Sequence, residues 1–398
     1  MVVTLIVPAT VARADEARPL TKADGITTQS RFVGIDDQGA WTFKSPNAGE
    51  VTLPAAEVVQ WGTPAEYTVG PILFLADGSV IAQLPSDPGQ PAAAVKVEQD
   101  RLKIERSPFG PLSLPLECVR GVMFHAPPDA QLRDRLAQRL LDDRRDSDRV
   151  ILDNGDEIEG TIESCDGKQL EVAGAVGKVQ LEVTKVAAAA FNPKLVVRPA
   201  DKGLHTLVGL ANGTRVMARK LSVSGDKLTI DPAVGSELSW TMPLAEVVCL
   251  QPLGGKTVYL SDVPVEGYKH IPYLMLAWPY HTDRNVVGTQ LRAGGRLYLK
   301  GIGMHSAARL TFKLDKPYRR FDAELAIDDE TLGDGSVTFR VFVDSEQRFA
   351  SEIVRGGMSP VPVQVDVAGG KTVSLVVDFA ERADEQDHAD WLNARLIE

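Results

Sequence analysis

The phrase Leu152-Asp153-Asn154-Gly155-Asp156 recurs as Leu75-Ala76-Asp77-Gly78-Ser79 and as Leu210-Ala211-Asn212-Gly213-Thr214, and it decides the reading of the first two thirds of the chain. Asp-Gly or Asn-Gly between alternating apolar positions favours a tight hairpin turn, because both central residues must tolerate positive φ. Each copy is followed by a second strand phrase, Asp100 to Ile104, Lys168 to Val172 and Asp226 to Ile230. A glycine turn and a closing strand come next, Gly110 to Pro115, Gly177 to Leu181 and Gly235 to Trp240. A degenerate further copy runs from Arg31 to Trp61, where Val51-Thr52-Leu53-Pro54 parallels Leu112 to Pro115.

Four or five short strands in about 50 residues predict small antiparallel barrels or meanders, each too small to be stable without its neighbours. The strand spacing resembles that of Sm-like or SH3-like barrels. The expected units are residues 30–126, holding two repeats of which the first is degenerate, then 150–195 and 204–252. Between them, 127–149 reads as a charged linking helix. Leu132, Leu136 and Leu140 recur every four residues, and Asp129 is placed to cap the N-terminus. Its expected role is a spacer lying on the barrels.

The repeat grammar stops near Pro252-Leu253-Gly254-Gly255, and the composition changes. Six of the seven Tyr and four of the six His lie after residue 256, and such side chains combine flat apolar faces with hydrogen-bonding tips. Strand signals at 296–299, 308–314, 319–327, 336–343, 362–367 and 372–379 alternate apolar and polar residues, as in a β-sandwich with one buried face per sheet. The fold class expected is all-β, an array of small barrel-like repeats with one helix and then a sandwich over 256–398.

The chain has 398 residues and a formal net charge of −11. The negative charge is spread over both parts, which excludes a polyanion-binding surface and with it nucleic acid. Cys118, Cys165 and Cys249 lack the paired spacing of zinc or redox sites and read as small buried apolar residues. The opening residues, MVVTLIVPATVARA, carry an apolar run ending in a small-x-small sequence, which predicts the remnant of a signal peptide over 1–14 and export to the envelope or exterior. No other window is long and apolar enough to span a bilayer as a helix. Nucleophile-elbow, zincin, phosphate-loop and dinucleotide motifs are absent, so no catalytic activity is expected.

After residue 256 several phrases come in a family's order and spacing: Tyr259-Leu260-Ser261-Asp262, Lys300 to Ser306, Tyr318-Arg319-Arg320-Phe321, Ile327-Asp328-Asp329, Gly335 to Val341 and Asp387-His388-Ala389-Asp390-Trp391. Over 256–398 the sequence resembles the NPCBM family of carbohydrate-binding modules. The resemblance implies a galactose-binding-like jelly-roll sandwich, a glycan ligand that includes galactose, and no catalysis. It departs from the family where a Gly-rich loop is replaced by Glu381 to Gln386, and where the segment Tyr268 to Tyr280 is long and aromatic.

The candidate glycan-binding residues are Trp278, Tyr280, His305, His388 and Trp391. Trp278 and Tyr280 lie in a Pro-containing loop suited to stacking on a pyranose. His305 follows two glycines, and His388 and Asp390 are spaced to share one strand face. Six carboxylates between Asp378 and Asp390 suggest calcium, with Asp384, Asp387 and Asp390 as ligands. The competing expectation is a structural or adhesive protein whose domains bind other envelope proteins.

Overall fold

A computed structural model of the chain describes residues 16–46, 49–68, 70–82, 95–175, 177–199 and 203–398. The expected signal segment lies outside the described residues. Among the described residues the fold is all-β with one α-helix.

The first part is built from four strand units, which hold five, six, five and five strands among the described residues. They begin at Arg18–Lys22, Ile72–Leu75, Asp148–Leu152 and His205–Leu210 and end at Val58–Gly62, Val119–Met123, Val186–Ala190 and Val247–Leu253. In each unit the first strand pairs antiparallel with the last, through Leu20↔Trp61, Leu75↔Val119, Val150↔Ala189 and Val208↔Leu250. A single 3-10 turn precedes every closing strand, at Ala55–Glu57, Leu116–Cys118, Val183–Lys185 and Leu244–Glu246. Three of these turns are entered from a proline, Pro54, Pro115 and Pro243, whose fixed φ stops the preceding strand.

The first unit is complete and begins at Arg18, not near residue 30. Its turn is Ala23-Asp24-Gly25, with Lys22 standing where the other copies have Leu. The Asp24 carboxylate accepts from Ile26 N at 2.9 Å, as Asp77 does from Ser79, Asn154 from Asp156 and Asn212 from Thr214. These side chains hold the turns, and the glycines at positive φ close them.

The units join through their closing strands. Val58–Gly62 pairs with Val247–Leu253, and Val119–Met123 pairs with Val186–Ala190. Each closing strand is therefore central, hydrogen-bonded on both sides, and one apolar cluster runs through all four units. Cys118, Cys165 and Cys249 are all buried and free.

The helix spans Ala130–Leu140, and the Asp129 carboxylate caps it by accepting from Leu132 N at 2.8 Å. Its buried residues are Arg133, Asp134, Leu136, Ala137 and Leu140. Leu132 is 56% exposed and is not part of the stripe. Leu140 packs over the seam of the second and third units, where a Cβ on Gly121 would lie 2.6 Å from its methyl group.

Two antiparallel sheets form the second part. One orders the strands His281–Thr282, Gly301–His305, His388–Ile397, Arg320–Ile327 and Val361–Asp366, with Thr257–Tyr259 also on His388–Ile397. The other orders Val265–His270, Ala308–Lys313, Thr372–Phe379, Ser336–Val343 and Glu346–Ala350. Phe312, Phe321, Phe339 and Trp391 lie in the core between them.

The two parts meet in a polar junction. Arg292, on the hairpin Leu291–Tyr298 over the outer face of the first sheet, donates to Glu66 at 2.7 Å and to Asp134 of the helix at 2.6 Å. Arg320 donates to the carbonyls of Ala23 and Asp24, and Lys256 pairs with Glu57 at 2.8 Å. The helix is thus held between the barrels and the sandwich.

Candidate functional site

After Val265–His270 the chain crosses the end of the sandwich as residues 271–280 and re-enters the sheet at His281–Thr282, beside Gly301–His305. Two bonds place Trp278 on this crossing. Tyr268 donates its hydroxyl to the Trp278 carbonyl at 2.8 Å, and Trp278 N donates to His270 Nδ1 at 3.3 Å.

His305 and His388 are direct cross-strand partners, so both project from one face at the end of the sheet. Met304 and Ala389, next to them, point into the core. The Trp278 indole lies flat on the His305 imidazole, with centroids 4.6 Å apart and planes within 1°. His388 closes one side, 5.4 Å from Trp278 and 5.7 Å from His305, and His270 stands edge-on to His305 at 6.0 Å.

Burial pushes the His305 imidazole down to about 4, and the neighbouring His388 acts in the same direction. His305 is therefore neutral at pH 7. Burial also lowers His270. His388 Nδ1 is hydrogen-bonded to Glu330, which in turn accepts from Gln131 of the helix at 3.5 Å. The result is a flat aromatic platform bordered by imidazoles and the Asp384 and Glu330 carboxylates. A neutral imidazole offers one donor and one acceptor, so it can match either role of a hydroxyl group.

Three of the expected glycan-binding residues, Trp278, His305 and His388, are brought together. Tyr280 is not with them; its ring packs on Tyr268 at 4.9 Å and against the sandwich core. Trp391 is a correction. It is 0% exposed between Phe321 and Phe339, because in the first half of the last strand, before the irregularity at Asn393, Ala389 and Trp391 face inward. His388 and Asp390 do share the opposite face, where they meet Glu330 and Asp328.

The expected calcium ligands do not converge. Asp387 is buried and accepts from Ser336 N at 2.9 Å, and burial pushes its carboxyl up to about 6. Asp390 is fully buried, and burial and then the charge of Asp328 hold its carboxyl well above the usual range. Asp384 sits by the imidazoles of His305 and His270. Among the described residues no group of three or more His, Cys, Asp and Glu side chains is arranged to hold a metal ion.

Sequence reasoning missed His270 and Glu330. The concentration of histidines after residue 256 was the available signal for His270. Glu330 had none, because its approach to His388 depends on the turn at Asp329–Thr331.

Residues 256–397 match the NPCBM/NEW2 domain. A curated relative, the α-1,3-galactosidase B of Akkermansia muciniphila, is 34% identical over 115 residues, 28% of this chain and 14% of that protein. The chain therefore spans a small fraction of that relative's length. Among solved structures, the CBM51 of Clostridium perfringens GH95 in complex with methyl-galactose is 26% identical, covering 35% of this chain and 99% of that one, with a TM-score of 0.32. The CBM51-2 and INT domains of Clostridium perfringens ZmpB are 24% identical, covering 46% of this chain and 41% of that one, with a TM-score of 0.33. The C-terminal part of this chain, residues 256–397, is an NPCBM/NEW2 domain.

Proposed function

We propose that this is an exported, non-catalytic glycan-binding protein whose sandwich holds a galactose-containing glycan on the Trp278 and His305 platform. The observation that carries the reading is the coplanar stack of those two rings at the open end of a sheet, in a carbohydrate-binding module domain. A pyranose presents an apolar face to such a surface, and its hydroxyls reach His388, His270 and Asp384 at the border. The galactosidase relative supports galactosides as the first ligands to try. The four barrels act as scaffold, and the reading needs no calcium.

The test is a glycan array with the full chain, followed by calorimetry on any glycan retained. Trp278→Ala is expected to weaken binding at least tenfold while leaving the melting temperature unchanged. Equal affinity in this variant, or no glycan retained with or without calcium, would sink the reading.

One observation favours the structural alternative. Ile271, Tyr273, Leu274, Met275 and Leu276 are exposed beside the platform, Leu274 by 83% and Met275 by 94%. An apolar crossing of this kind suits contact with another envelope protein. Co-purification of such a partner that survives Trp278→Ala, with no glycan bound, would favour that alternative.

A further inference from the structure

The junction between the barrels and the sandwich holds a buried excess of positive charge. Tyr67, on the segment after the first unit, lies between two guanidinium groups, Arg133 at 5.7 Å and Arg215 at 5.2 Å from its ring centroid. Arg133 pairs with Glu66 at 3.2 Å, and Arg292 pairs with both Glu66 and Asp134. Three arginines thus face two carboxylates, and both carboxylates are taken. Burial would raise Glu66, yet its bonds to Arg292 and Arg133 hold it below the usual range, so it stays ionised.

Arg215 is the unmatched cation. It is 6% exposed, and among the described residues no carboxylate lies within ion-pair distance of it. Among the described residues its side chain makes one hydrogen bond, to Gln290 Oε1 at 3.3 Å. A buried charge without a counter-charge is costly, and a folded protein usually neutralises it. The Tyr67 hydroxyl is also unsatisfied, being 2% exposed with no hydrogen-bond partner.

Both side chains line a cavity of about 310 Å³ between the two parts, whose lining also includes Arg284, Gln290 and Lys300 together with two carboxylates, Asp134, already held by Arg292, and Asp283. Lys300 is already neutralised by Asp262 at 2.6 Å and Asp283 at 2.9 Å. Among the described residues Arg284 bonds only a carbonyl, that of Gly288 at 3.2 Å. Two guanidinium groups without carboxylate partners therefore border one space. Its volume lies at the lower end of small-ligand pockets, which run from ~300 Å³ upwards. None of the residues of the Trp278 platform lines it.

We propose that this cavity binds a small organic anion of monosaccharide size, a sugar acid, with its carboxylate on Arg215. A guanidinium matches a carboxylate with two parallel N–H donors, and this geometry separates it from lysine sites. The ring hydroxyls would meet the Tyr67 hydroxyl and Gln290, and Arg284 would face the same anion from the sandwich side. Because the walls come from both parts of the chain, bound ligand would also tie them together.

The test uses the full chain at fixed ionic strength, titrated by calorimetry with sodium glucuronate, sodium galacturonate, sodium sulfate and glucose. A uronate is expected to bind and glucose is not. Arg215→Met should weaken the uronate at least tenfold, Tyr67→Phe a few-fold, and Trp278→Ala not at all. If Arg215→Met does not fold, Arg284→Gln gives the same reading from a less buried position. No binding by either uronate, or binding unaffected by Arg215→Met and Arg284→Gln, would overturn the proposal. Sulfate bound as well as the uronates would overturn the sugar-acid assignment.

Discussion

The barrels and the sandwich are both antiparallel β-structure, but they distribute their cores and their polar groups differently. In the barrels a single apolar cluster crosses all four units, because every closing strand is shared with a neighbour. In the sandwich the core lies between two sheets, and the outer face of one is left for polar work. That face carries His305, His388 and Asp390 on adjacent strands. Repetition thus makes a scaffold in which each unit supports the next, and the non-repeating part supplies the chemistry.

The largest effects are expected where each core is densest. Trp391→Ala empties the centre of the sandwich and should cost about 3 to 5 kcal/mol, and Leu140→Ala, over the barrel seam, about 2 to 5 kcal/mol. Calorimetry of the full chain is expected to separate them, with Trp391→Ala lowering a sandwich transition and Leu140→Ala a barrel transition. A single transition lowered by both would show that the junction makes the two parts one cooperative unit, and the contrast would not extend to unfolding.

The polar face gives a smaller effect with a definite sign. Burial and then the charge of Asp328 hold the folded Asp390 carboxyl well above its unfolded range. The folded state then binds more protons, so this group favours folding below its unfolded pKa and loses that contribution as pH rises through the window up to its folded value. His305 acts oppositely. Its folded pKa of about 4 lies below the unfolded one, so it costs stability as pH falls from 6.5 towards 4. Asp390→Asn cannot ionise in either state. It is expected to be more stable than the natural chain at pH 8, with the difference vanishing as pH falls into the unfolded carboxylate range of about 4. Urea unfolding across that range checks it, and a constant difference at all pH values would show that Asp390 does not hold its proton.

How much of this was legible in sequence also differs between the two parts. The Asp/Asn-Gly phrase located three units because the turn demands those residues, yet the first unit was read too late, since Lys22 replaces the leucine that marked the others. The 3-10 turn before each closing strand was missed, although Pro54, Pro115 and Pro243 announce it. In the sandwich, the strands at 336–343 and 372–379 match their sequence reading to the residue. Trp391 was misplaced because strand alternation gives a residue's side but not which side is covered. Asp384, Asp387 and Asp390 looked like one cluster in sequence, but Asp384 lies in the turn before the last strand, Asp387 accepts from Ser336 N, and Asp390 lies within the strand facing Asp328. The unmatched Arg215 was invisible, since its charge balance depends on Glu66, Asp134 and Arg292, which are remote in sequence.

The smallest effect probes the repeated turn itself. Gly25 and Gly155 occupy the same position in their units, with φ of +87° and +89°, so an alanine in either must adopt a left-handed conformation at a cost of about 1 kcal/mol. Their surroundings differ. A Cβ on Gly155 would meet nothing within 4 Å, whereas one on Gly25 would lie 2.8 Å from the Gln364 amide and 3.0 Å from the Arg320 guanidinium of the sandwich. Both neighbours are the ends of flexible side chains, but Arg320 is held by the carbonyls of Ala23 and Asp24 and by Asp322. Gly25→Ala is therefore expected to cost more than Gly155→Ala, by a few tenths of a kcal/mol up to about 1 kcal/mol for a weakened charged hydrogen bond. Urea unfolding of the two variants measures the difference. Because the turn conformation is common to both, the excess at Gly25 reports the hold of the sandwich on the first barrel. Equal costs would mean that Arg320 moves aside freely and that the grip between the two parts lies with Arg292 instead.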